Sequence, residues 1–128
     1  MLTVKCARRA YKGAIILEGA IIHKGAIIHK GAIIFEGAII HEGAIIFEGA
    51  RIGRNRKNVK YCIVVHGIGN TKTITGYKCE DGVIVTIGCQ NDYAGLSIND
   101  MWNEVLKKYP LDHVYFDALN LIKKYFTI

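Results

Sequence analysis

The chain has 128 residues, 51% hydrophobic and 22% charged, with a net charge of +6. That apolar content builds one compact domain, or two small units sharing an interface, and excludes a disordered chain. The charge is uneven: residues 1–66 hold eleven Lys and Arg against four Glu, hence +7, and residues 67–128 hold six against seven acidic residues, hence −1. An anionic partner is directed to the first half.

The opening "MLTVKCARRAYK" lacks the apolar stretch of a secretory signal, and Glu or Lys interrupts every apolar run before it reaches a membrane span. The expectation is a cytoplasmic protein with no membrane partner. Cys6, Cys62, Cys79 and Cys89 show no CxxC spacing, so they read as reduced, mostly buried thiols, and no metal site is expected. Residues 13–53 then repeat one word. "GAII" starts at 13, 19, 25, 31, 37 and 43, and "GARI" at 49 keeps the phase. A period of six is a multiple of two and suits strands, and Ile-Ile with Gly in every word disfavours helix. Strand alternation puts Ala14 and Ile16 on one face and Ile15 on the other, with Glu18-Gly19 at a turn.

The spacing Ile16 then Ala20, Ile22 then Ala26, and onward to Ile46 then Ala50 resembles the hexapeptide repeat of left-handed parallel β-helices, in which three words make one triangular coil. The resemblance implies a mainly β fold. It implies a short left-handed parallel β-helix over residues 1–66, starting in a degenerate word near Val4 and ending near residue 66 after about four coils; the order strand, hairpin, helix, helix makes residues 67–128 a small α+β unit. Residues eighteen apart would stack roughly 4.8 Å apart. Leu17 then lies on Phe35, His23 on His41 and His29 on Phe47, while Lys24, Glu42 and Lys60 form one charged column and Glu18, Glu36 and Arg54 another. Ile15, Ile21, Ile27, Ile33, Ile39 and Ile45 all point outward, an apolar area that a monomer does not leave in water. A homo-oligomer, a trimer or higher, is expected.

In the second half, Glu80-Asp81-Gly82 is a hairpin signal, so residues 72–79 and 83–89 are expected to pair antiparallel. Ser97 precedes an amphipathic helix, "SINDMWNEVLKKY", which Pro110 stops, and "LDHVYFDALNLIKKYF" reads as a last helix. The run "GIGN…TGYKCEDGVIVTIGCQN", through Gly67, Gly69, Gly88 and Cys89, with the Trp-bearing helix and closing "LIKKYF", resembles the C-terminal part of small bacteriophage accessory proteins. Some small phage proteins are sponges that sequester a host immune nucleotide signal.

Several residues invite chemistry. His23, His29 and His41 match the coil histidine that hexapeptide-repeat acyltransferases use as a base, but their alternation with Leu and Phe reads as surface packing. "HGIGNTKT" lacks the order of a phosphate loop. Cys89 reads as a core thiol and Trp102 as a helix anchor. The basic run "RIGRNRKNVK", 51–60, beside two amide-bearing loops is the favoured anion site, with ligand-binding residues Arg54, Arg56, Lys57, Asn70, Tyr77, Gln90 and Asn91. The absence of interleaved aromatics argues against nucleic acid. The expected function is non-enzymatic, with no catalytic residue and no cofactor. It is an oligomeric phage binding protein in the infected host's cytoplasm, sequestering a small anionic ligand such as a signalling nucleotide. The alternatives are a minimal hexapeptide-repeat acyltransferase and a purely structural assembly protein.

Overall fold

The computed structural model describes residues 4–68, 72–87, 95–108 and 113–126. The repeat does form strands, one per word. β1 (Ile15–Ile16), β2 (Ile21–Ile22), β3 (Ile27–Ile28) and β4 (Ile33–Ile34) are two residues each, β5 runs Ile39–Ile46, and β6 is Arg51–Ile52. Parallel pairing joins Ile15 to Ile33, Ile21 to Ile39, Ile27 to Ile45 and Ile33 to Arg51, a constant step of eighteen. The second Ile of each word and the Ala of the next are buried together, from Ile16 to Ile52.

The strands are not arranged as a left-handed parallel β-helix with an α+β unit after it, which corrects the expectation from the repeat. They form a three-stranded parallel sheet, β1-β4-β6, and a mixed seven-stranded sheet ordered β10-β9-β8-β7-β5-β2, with β3 also on β5. Three helices flank them. The cause lies in the glycines. Gly13 through Gly49 take positive φ at every corner, and Asn55, six residues on, still reaches φ 60. The next such position is Tyr61, a poor left-handed residue and a good strand former, so the chain stays extended through β7 (Val59–Ile68). β7 cuts straight across where a corner would fall. Val59 partners Ile40 and Tyr61 partners Ile45, so offsets of nineteen (59 − 40) and sixteen (61 − 45) replace eighteen. It then pairs antiparallel with β8 (Lys72–Cys79), which pairs with β9 (Gly82–Ile87), and β9 with β10 (Leu96–Ser97). One sheet thus runs from the repeats into the C-terminal half, and the antiparallel pairing expected between 72–79 and 83–89 is found up to Ile87, residues 88 and 89 lying outside the described residues.

The N-terminal word is also replaced. Val4–Ala10 is helix α1, because "VKCARRA" holds no glycine and good helix formers. It covers the open end of the first row: Ala7 is buried, Arg8 Nε donates to the Ile16 carbonyl at 2.9 Å and the Tyr11 hydroxyl to the Ala26 carbonyl at 2.6 Å. These carbonyls belong to edge segments that no further strand pairs among the described residues.

The β7-β8-β9 meander separates two cores. Cys62, Tyr77, Cys79 and Ile84 face the repeat interior, while Ile74, Val83, Val85 and Ile87 face α2 (Ile98–Lys108) and α3 (His113–Tyr125), represented by Met101, Val105, Leu119 and Ile122. Ser97 caps α2, its hydroxyl accepting from Asp100 N–H at 3.3 Å. Trp102 packs at 4.9 Å on Phe116 of α3 with Lys123 Nζ 4.5 Å above its ring, so it ties helix to helix. No helix among the described residues is long and apolar enough to cross a membrane.

Candidate functional site

The basic run expected to meet an anion is spent largely on holding the chain. Arg54 pairs with Glu36 at 3.2 Å, the column neighbour eighteen residues earlier. Arg56 is mostly enclosed, gives Nη1 to Asp81 Oδ2 at 2.9 Å and Nη2 to the Gly95 carbonyl at 3.1 Å, and also bonds the Tyr77 hydroxyl. Tyr77 is wholly buried and its hydroxyl accepts from Gly53 N–H at 3.0 Å. Burial pushes its phenol far above the ordinary value. The structure therefore brings Arg56 and Tyr77 together, as a lock between the chain after β6 and the meander. Lys57 is exposed, its carbonyl accepting from Glu80 N–H at 2.9 Å. Asn70, Gln90 and Asn91, with Cys89, lie outside the described residues.

The geometry supplies a different cleft. Because β7 runs straight, residues 41–44 of β5 stand out from it, and beneath them opens a cleft of about 230 Å³ lined by His41, Asn58, Lys60, Lys78, Cys79 and Glu80. Asn58, at φ 57, turns the chain into β7. Two ammonium groups against one carboxylate give the cleft positive character, and the amide and imidazole add further hydrogen-bonding groups. His41 Nδ1 lies 2.8 Å from the Glu42 carbonyl, which leaves Nε2 for a ligand. The Cys79 thiol is raised by burial, so it is protonated at neutral pH and poorly nucleophilic. The sequence puts Lys60 both in a charged column and in the basic run 51–60, and gives Lys78 no role. Their meeting depends on the lost corner, a tertiary event for which Tyr61 at a glycine position is the one local sign.

A second depression of about 390 Å³ lies between Phe47, Glu48, Cys62, Ile63, Val64, His66 and Tyr125, and is mainly apolar. Burial pushes the Cys62 thiol up to about 11. His29 stacks on Phe47 at 6.2 Å with planes 10° apart, the column partnership expected from the eighteen-residue step and a packing role for this imidazole. Among the described residues no group of three or more His, Cys, Asp or Glu could hold a metal ion. No protein-family model, curated protein or solved structure matches this chain.

Proposed function

We propose that the protein is a non-enzymatic, homo-oligomeric binding protein that sequesters a small phosphate-bearing anion in the cleft beneath residues 41–44. One observation carries this: Lys60 of β7 and Lys78 of β8 line the same cleft, with Asn58 and His41 beside them. Its volume suits a phosphate and part of its attached group rather than a large cofactor. Glu80, in the same lining, repels an anion and so favours its approach to the two lysines. The protonated Cys79 and a histidine held only by a backbone carbonyl favour binding over turnover. Capture of a host signalling nucleotide, a role that some small phage proteins have, is the specific form of this reading.

Calorimetry against inorganic phosphate, nucleoside monophosphates and cyclic nucleotides tests it. Binding is expected to weaken with salt and to fall at least about tenfold in Lys60→Ala/Lys78→Ala, with the ligand recovered intact. Silence across the whole panel, or undiminished affinity in the double variant, removes the proposal.

A further inference from the structure

The outward face carried by β3 and β5 is apolar in the middle and charged on both rims. Ile27 and Ile45 are register partners and are 51% and 40% exposed; Phe47, stacked under His29, is 42% exposed. The rims are the corners before and after these strands. One carries Lys24 in the first row and Glu42 in the second; the other carries Lys30 in the first row and Glu48 in the second. All four are exposed, and among the described residues no ion pair joins any of them to another group of the chain. The remaining corner differs: Glu18 pairs with Arg8 and Glu36 with Arg54. Only this face has rims whose charges are unused and whose sign inverts between rows on both sides.

That pattern complements itself. A twofold axis parallel to the strands, between the first and second rows, sets the first row of one copy against the second row of the other. Ile27 then meets Ile45, Lys24 meets Glu42, and Lys30 meets Glu48, each contact occurring twice as an isologous interface requires. Opposing equal rows would instead place Lys24 against Lys30 and Glu42 against Glu48, a like-charge arrangement that disfavours the unshifted pairing. We propose that this face is the contact between two copies of the chain, shifted by one row. The inference does not rest on the anion cleft. The face is small, so the dimer belongs to the weak, concentration-dependent class.

Sedimentation velocity of the full chain at rising concentration tests it, with two surface variants. Lys24→Glu/Lys30→Glu makes both rims wholly acidic, and Glu42→Lys/Glu48→Lys makes them wholly basic. Each side chain introduced already occurs one row away at an equivalent corner, so both variants are expected to keep the wild-type circular dichroism spectrum. The wild type is expected to dimerise, each variant alone to weaken dimerisation at least about tenfold, and their equimolar mixture to restore it as a heterodimer at low salt. A wild type that stays monomeric, a variant that dimerises as well as wild type, or a mixture that stays monomeric overturns the proposal.

Discussion

Thr75 and Thr86 face each other across β8 and β9, and their hydroxyls close on one peptide edge from two sides. The Thr75 oxygen accepts from Arg51 N–H at 3.1 Å, and the Thr86 hydroxyl donates to the Arg51 carbonyl at 2.9 Å. Arg51 lies in β6, the last strand of the three-stranded sheet, which among the described residues has no further strand to pair with. Both threonines are buried, so the side chains do for this edge what water cannot. With the Tyr77 hydroxyl on Gly53, the meander's inner face closes the stack by side-chain hydrogen bonds.

Thr75→Val keeps the shape and orphans the Arg51 N–H. The expected cost is about 1–3 kcal/mol, the range for a buried donor left unmet. Urea unfolding with an unchanged slope measures it. Thr86→Val should cost less, because a carbonyl tolerates incomplete pairing better. A Thr75→Val protein with the wild-type midpoint would show that the hydroxyl is not what seals the edge.

β8 and α3 meet where no side chain fits between them. A Cβ added at Gly76 would stand 2.6 Å from Ile122 Cγ2. Gly76→Ala is therefore expected to destabilise by about 1–3 kcal/mol through overpacking, and Ile122→Ala to lose stability by leaving a cavity. In the double variant the new methyl enters the vacated space. A double-mutant cycle should give a coupling above about 0.5 kcal/mol; additive losses would mean the strands and helix can part without penalty.

How much of this was legible in the sequence differs from one stretch to the next. The strand in each word, the meander turn at Glu80-Asp81-Gly82 and both C-terminal helices follow from local rules of alternation, turn chemistry and capping, whereas the eighteen-residue step and the Glu36–Arg54 pair follow from the hexapeptide-repeat resemblance. The sheet assignment did not, because the period says which residues pair and not which sheet the strands after the repeat join. That is decided at Asn55 and Tyr61, where one residue tolerates positive φ and the next does not. The surroundings of two expected anion residues were hidden for a related reason. Arg56 and Tyr77 look available in a list of polar letters, yet the meander folds back and encloses them, while Lys60 and Lys78 acquire a shared cleft only after that fold-back.

The corner glycines separate two costs. Gly43 has φ 74 and open space around an added Cβ; Gly37 has φ 71, but its Cβ would run into the Asn55 side-chain amide. Gly43→Ala should lose about 1 kcal/mol from left-handed strain alone. Gly37→Ala should lose clearly more. Thermal melts of the two variants side by side check the ranking, and equal losses would place Asn55 elsewhere.

Alkali should weaken the fold through Cys62. Its thiol rises from 9.0 to about 11 on burial, so between those values the unfolded chain has released a proton that the native protein still holds. Stability from this group is intact below pH about 9 and falls as pH climbs toward 11, by up to roughly 2–3 kcal/mol. Urea midpoints at pH 8 and pH 10.5 measure the drop, and Cys62→Ala should show a shallower one than wild type. An identical drop in both proteins would assign it to other groups.

The constant step from Ile15 to Ile33 to Arg51 gives the molecule an unusual freedom of size. Helix α1 at one extremity and the threonine-lined hairpin at the other recognise only the outermost rungs, not the number between them. Duplicating three words would lengthen the protein by one strand spacing, about 4.8 Å, while both lids seat as before. Genetic slippage in such a monotonous tract would thus yield a graded series of taller versions, a ruler marked in blocks of eighteen.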